Sequence, residues 1–243
     1  MSRIAILAAL PGELRPLVRG WQHEFVHDVD LWRWPYDGGE WIAACAGAGV
    51  EAATRAFAEV EKLGPVDQLI STGWAGGLRE DLTSGQAYNV SGVIDVRTGE
   101  RFETATGPEA NSPRLLLVTS PKAADFKEKQ RLAATYQAAL VDMEAAGVAR
   151  LAQARGIPFY CIKGISDGYS DKLPDFNCFI SPSGRLQMGR IVVFSLLSPW
   201  HWRALIRMGE NSNKAADAIA ESLLDMLDKQ GQIRKRNDDS NHQ

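Results

Sequence analysis

Short apolar runs alternate with longer segments of helical period along most of this chain. Ile4 to Ala9 is an apolar stretch of strand length, and Pro11 to Arg19 follows as a helix, with Pro11 in the first turn where its missing N–H costs nothing. Phe25 to Val29, Leu31 to Tyr36 and Trp41 to Ala46 form a meander whose last turn is Asp37-Gly38-Gly39. Gly47-Ala48-Gly49 turns the chain into an alanine-rich helix from Val50 to Leu63, which leads to a buried strand over Asp67 to Thr72 and a glycine turn, Gly73-Trp74-Ala75-Gly76-Gly77. Gln86 to Val96 and Leu115 to Thr119 predict further strands. Ala123 to Tyr136 reads as a helix, Ala138 to Asp142 as a strand, Met143 to Arg155 as a helix closed by Gly156 and Pro158, and Phe159 to Ser166 as a strand. Ser195 to Met208 and Ser212 to Leu227 predict two C-terminal helices, and residues 231–243 lack apolar periodicity and read as a disordered tail.

The expected fold is therefore α/β: one domain over residues 1–230, a mixed, twisted central sheet with helices on both faces. Its 243 residues, 45% of them apolar, suffice for one sizeable core. A net charge of −3 with scattered basic residues excludes a nucleic-acid footprint. The N-terminal apolar run is too short for a signal peptide core or a membrane span. Cys45, Cys161 and Cys178 have no metal-type spacing and suit reduced thiols in a cytoplasmic protein. His23, His27, His201 and His242 share no ligand spacing either, so neither metal nor cofactor is expected.

Chemistry concentrates at the carboxyl ends of strands, where open α/β sheets gather ligands. Glu13 follows the first strand, the glycine turn follows the central one, and Asp167 follows the Phe159 strand, 23 residues after Glu144 at a strand-to-helix junction. Each has a plain structural use: first-turn acids favour the helix dipole, Ser-Asp-Gly is loop chemistry, and glycines make tight turns.

Taken together and in order, Ile4 to Glu13, Ser71-Thr72-Gly73-Trp74-Ala75-Gly76-Gly77-Leu78, Val141-Asp142-Met143-Glu144 and Ile165-Ser166-Asp167 resemble the nucleoside phosphorylase family, which includes the 5'-methylthioadenosine/S-adenosylhomocysteine nucleosidases. The resemblance runs from Ile4 to about Leu227. It implies cleavage of an N-glycosidic bond in a purine nucleoside, with Asp167 as the acid at N7 and Glu13 as the base that activates water. Met143 would pack on the ribose and Glu144 would bind its hydroxyls, with Ala9, Gly73, Trp74 and Ser166 completing the binding residues. A free aspartate is mostly ionised near neutral pH, so the acid must keep its proton by burial or regain it from water or substrate. An aspartate also accepts from an exocyclic amine, which favours adenine. The resemblance further implies a homo-oligomer, a dimer or larger.

Departures from the family pattern shape the choice of nucleophile. Phosphorylases grip phosphate with an arginine and a serine at the positions held here by Ser71 and Trp74, so hydrolysis of a 5'-modified adenosine is favoured over phosphorolysis. Arg15 and Arg19 are the nearest substitute cations in sequence. Trp74 can stack on a ligand, fill an unused phosphate site or pack into the core. Ser120-Pro121-Lys122 stands where nucleosidases carry a loop over the base. The Leu196 to Met208 run is similar to hopanoid-associated phosphorylase relatives, which suggests a large apolar 5' group against Trp200, Trp202 and Phe179. A binding protein without turnover is the alternative outside enzymology.

Overall fold

In a computed structural model, the structure describes residues 2–36, 38–105, 115–171, 175–181, 184, 187 and 202–229. In chain order the elements are β1 (Ser2–Ala8), α1 (Pro11–Leu14), β2 (Gln22–Val26), β3 (Val29–Tyr36), β4 (Gly39–Cys45), α2 (Val50–Lys62), β5 (Gln68–Ser71), β6 (Trp74–Gly77) and β7 (Ala87–Asp95). They continue with β8 (Arg101–Glu103), β9 (Leu115–Thr119), α3 (Phe126–Tyr136), β10 (Leu140–Asp142), α4 (Ala145–Arg155), β11 (Phe159–Asp167), a 3-10 turn (Phe176–Phe179) and α5 (Trp202–Lys229).

The strands form one mixed sheet in the order β2-β3-β4-β1-β5-β11-β6-β10-β9-β7-β8. Antiparallel pairing of β7 with β11 closes β11, β6, β10, β9 and β7 into a ring, while the other strands extend from it as an open sheet. Alternation along β1 feeds two cores. Ala5 and Leu7 pack with α2 and α4 residues such as Phe57 and Ala149, whereas Ile4 and Ile6 pack with Leu14 of α1 and with Ile219 and Leu223 of α5. The expected sheet with helices on both faces is the one observed.

Local chemistry accounts for the helix ends and close contacts. Asp125 caps α3 by accepting from Glu128 N at 2.8 Å, and Gly156 ends α4 in the left-handed region. Two glycines permit close approach. A Cβ on Gly147 would stand 2.6 Å from Val50, at the α2–α4 contact, and one on Gly164 would stand 2.8 Å from Ala215, where α5 lies on β11.

Several expected elements change. The first helix is a single turn, Pro11–Leu14, because Pro16 and the buried Leu17 and Val18 follow it in turns rather than continuing its stripe. The two C-terminal helices are one: α5 runs unbroken through Gly209, since its buried stripe of Ala215, Ile219, Leu223 and Leu227 anchors it to β11 strongly enough to carry a glycine. Residues 195–201, Trp200 and the segment 231–243 lie outside the described residues. The glycine turn is a strand, β6, for the reason given below. The short strand β8, which has only Phe102 buried, was too brief to register as alternation. Among the described residues no helix is long and apolar enough to cross a membrane.

Candidate active site

β6 is the spine of the site. Its first residue, Trp74, donates its backbone N–H to Glu13 Oε1 at 2.7 Å, and further along the strand Gly76 lies opposite Asp167 of β11. Glycine is needed there because carboxylates occupy the space side chains would take. A Cβ on Gly73, whose φ is +115°, would stand 2.7 Å from Glu13 Oε1, and one on Gly76 would stand 3.3 Å from Asp167 Oδ2. The run that resembles turn chemistry in sequence is thus a strand hollowed out for two acids.

Glu13 is held wholly by main-chain donors. Its Oε2 accepts from Ala9 N at 2.8 Å and Leu10 N at 2.7 Å, closing the first turn of α1, while Oε1 takes the Trp74 bond. It is buried, and burial raises its pKa above the ordinary 4.5 against the opposing pull of these N–H groups and of Lys163.

Glu144 stands at the N-terminus of α4, and its Oε1 accepts from Gly49 N at 2.6 Å. Burial pushes its pKa up to about 8; nearby Asp142 and Glu13 add to the rise, and Lys163 and the Gly49 N–H oppose it. Gly47-Ala48-Gly49, read as a plain turn, therefore supplies a partner to this carboxylate. Met143, half-buried, precedes it.

Two buried lysines underlie these acids, and neither carries a motif that would mark it in sequence. Lys163 Nζ lies 2.9 Å from Asp142 Oδ2 and donates to the Thr72 carbonyl at 2.8 Å. Burial alone would lower its pKa, but the Asp142 carboxylate outweighs burial and raises it. Asp142 also accepts from Thr119 Oγ1 at 2.7 Å and from Ala145 N at 2.9 Å, so both of its oxygens are hydrogen-bonded. Lys129, from α3, is paired with Asp167 Oδ2, while Ser166 Oγ donates to Asp167 Oδ1 at 2.6 Å.

The three acids were expected to line one cavity, and the structure meets this only in part. Glu13 and Asp167 both meet β6, and Glu13 is near enough to Glu144 to raise its pKa, but Glu13 and Asp167 are engaged by their own partners. An open cavity of about 400 Å³ lies next to them, touching the site at Gly49 and Met143 and lined beyond by Val50, Arg97, Ser120 and Ile180. Trp74 has its indole against Gly12, and its Nε1 donates to the Ser212 carbonyl of α5 at 2.9 Å; of the three uses considered for it, these contacts describe packing. Ala9 is tied to the site through its N–H. Arg15, Arg19 and Lys122 are exposed. Of the expected apolar wall, Phe179 is buried and Trp202 is 48% exposed.

The fold and the cleft define an α/β protein whose partly closed sheet gathers buried carboxylates at strand ends. A family model described as "Phosphorylase superfamily" matches residues 3–127 and 118–180, and the chain belongs to that superfamily. Similar solved structures include 5'-methylthioadenosine/S-adenosylhomocysteine nucleosidase from Helicobacter pylori with butyl-thio-DADMe-Immucillin-A: 18% identity, TM-score 0.70, over 94% of this chain and 99% of that one. The Arabidopsis thaliana 5'-methylthioadenosine nucleosidase in apo form gives 18%, 0.72, 94% and 96%, and the futalosine hydrolase of Helicobacter pylori 17%, 0.70, 94% and 98%. No curated protein sequence matches.

Proposed function

We propose that this protein hydrolyses the N-glycosidic bond of a 5'-modified adenosine, releasing adenine and the free sugar. The observation that carries the choice of water is the state of the two buried lysines: each is engaged by an aspartate, Lys163 by Asp142 and Lys129 by Asp167, so neither is left to bind phosphate. A phosphate dianion beside Glu13 and Glu144 would meet carboxylates instead, and the indole of Trp74 fills the side toward α5. The relatives named as nucleosidases and as a hydrolase support the same reading.

In this mechanism Glu13 accepts a proton from the attacking water on the oxygen that faces Trp74 N, the oxygen with a single main-chain bond. Glu144 binds the ribose hydroxyls, and its carboxylate gains interaction energy as positive charge grows on the sugar. Met143 packs on the ribose, and the 400 Å³ cavity beyond it offers space for the 5' substituent. Asp167, backed by Ser166, protonates the departing base at N7 and accepts from its 6-amino group. Asp167 delivers to N7 a proton regained from solvent water, while the proton that Glu13 takes from the attacking water returns to solvent, so each turnover consumes one water and restores both groups. General acid–base help of this kind is worth about 10²–10⁴-fold.

Adenine release from methylthioadenosine, S-adenosylhomocysteine, adenosine and futalosine, with and without phosphate, tests the proposal. Free sugar at an unchanged rate in phosphate supports hydrolysis. A sugar 1-phosphate, or binding without release, would overturn it.

A further inference from the structure

The cavity of about 400 Å³ beside the carboxylates carries two exposed side chains of opposite charge, Arg97 and Glu51. Among the described residues neither has an ion-pair partner, in the other or elsewhere. Asp95, the acid nearest Arg97 in sequence, is buried and spent on the turn itself: its Oδ1 accepts from Arg97 N at 2.9 Å and its Oδ2 from Arg150 Nη2 at 2.7 Å. Together with Val96 N on the Thr119 carbonyl at 3.1 Å and Gly99 N on the Asp95 carbonyl at 2.8 Å, these bonds fix the turn that carries Arg97 while leaving its guanidinium without a counter-charge. Glu51 stands in the first turn of α2, whose start is tied to the site by the bond from Gly49 N to Glu144. Met143 lines the same cavity.

A 5' substituent entering this space therefore meets a cation and an anion. An alkyl group gains from neither. A lone carboxylate is attracted by Arg97 and repelled by Glu51, and a lone amine the reverse; only a group that carries both charges satisfies both side chains. We propose that Arg97 and Glu51 are specificity-determining residues for the far end of the 5' substituent, Arg97 taking a carboxylate and Glu51 an ammonium, so that the site favours a nucleoside ending in an α-amino acid over one ending in an uncharged alkyl group. The inference rests on the reading above that Met143 and Glu144 hold the ribose. Because both side chains are exposed, each contact has the strength of a surface ion pair, worth up to about fivefold in affinity and weakened by salt. The effect falls on KM rather than kcat, since neither group touches the reacting atoms.

The test uses four nucleosides: S-adenosylhomocysteine, its analogues lacking only the amino group or only the carboxylate, and methylthioadenosine. Each is measured with the wild type, Arg97→Gln and Glu51→Gln. Arg97→Gln is expected to raise KM by about fivefold for S-adenosylhomocysteine and for the carboxylate-only analogue, and Glu51→Gln to do so for S-adenosylhomocysteine and for the amine-only analogue. Each variant should lower KM for the analogue whose single charge the lost side chain repelled, and both should leave methylthioadenosine unchanged. A variant that shifts all four nucleosides alike, or none of them, overturns the proposal, because a structural role has no reason to follow the charge of the substituent. A wild type that cleaves none of the four sinks the proposed hydrolysis instead. Equilibrium affinities of the same nucleosides for the same proteins then read the charge pattern by themselves, and its absence there overturns this proposal as well.

Discussion

Glu13 and Glu144, proposed for the sugar, and Asp167, proposed for the base, hold their carboxylates by opposite means. Glu13 and Glu144 are satisfied by main-chain N–H groups of Ala9, Leu10, Trp74 and Gly49, with the Lys163 ammonium committed to Asp142. Asp167 is satisfied by side chains, an ammonium and a hydroxyl. Burial outweighs these main-chain donors, so the pKa of both glutamates is raised. A raised pKa suits a group proposed to take a proton from water, as Glu13 is.

The contrast is broken most severely at Asp167. Asp167→Asn is expected to lower kcat for adenine release by about 10²–10⁴-fold. It also strands the Lys129 ammonium, at about 3–5 kcal/mol of stability in urea denaturation. Adding Lys129→Met should restore most of that stability and none of the turnover. If the double variant is no more stable than Asp167→Asn, the ion pair is not what holds this side together. Glu13→Gln is the matched experiment on the sugar side. The amide nitrogen would face either Trp74 N–H or the Ala9 and Leu10 donors, one mismatch without any stranded cation, so stability should fall by only about 1–3 kcal/mol. Turnover should still drop by about 10²-fold with base binding intact. A stability loss as large as that of Asp167→Asn would erase the distinction.

The protonation of Glu144 sharpens the comparison without a large structural change. Its pKa rises from 4.5 to about 8 in the fold, so the folded state holds the proton more tightly than the unfolded chain. Its contribution to stability is therefore full below about 4.5 and is lost as pH rises through about 8. Ribose recognition runs the other way, because hydroxyls donate to the ionised form. Nucleoside affinity should rise about tenfold per pH unit below 8 and then level off, and Glu144→Gln should flatten the profile. A flat profile in the wild type would show that the anchor is ionised throughout.

Much of this arrangement was legible in the amino-acid sequence because it rests on local signals. Glu13, Glu144 and Asp167 stand next to strand ends, where period-two alternation stops, and the helices over Val50 to Leu63 and Met143 to Arg155 differ from α2 and α4 by two residues or fewer at each end. What escaped was non-local. Gly73 to Gly77 reads as a turn because glycine alone says only that space or a left-handed conformation is needed, and the occupants of that space, Glu13 from α1 and Lys129 and Asp167 from α3 and β11, are brought in by the fold. Lys129 sits in a run of charged residues, Lys127-Glu128-Lys129-Gln130-Arg131, whose other members face solvent at least in part. Nothing in that run singles out the one that turns inward. The joining of two expected C-terminal helices into α5 has the same origin, since the stripe that overrides Gly209 is set by packing on β11.

The smallest effect is expected at Trp74, which connects the sugar side to the rest of the fold. Its backbone N–H holds Glu13 while its indole N–H holds the Ser212 carbonyl, so one residue couples the water site to α5 through two independent bonds. Trp74→Phe removes only the second. The ring still covers Gly12, and the carbonyl it leaves lies in α5, where a helix bond at Ser212 remains available; the loss should be near that of a single neutral hydrogen bond, about 0.5–1.5 kcal/mol in thermal or urea unfolding. Turnover should change less than threefold, because the main-chain donor to Glu13 is untouched. A drop of kcat by more than tenfold at unchanged stability would mean that the indole itself meets the substrate, and would overturn the packing role assigned to it from Gly12 and Ser212.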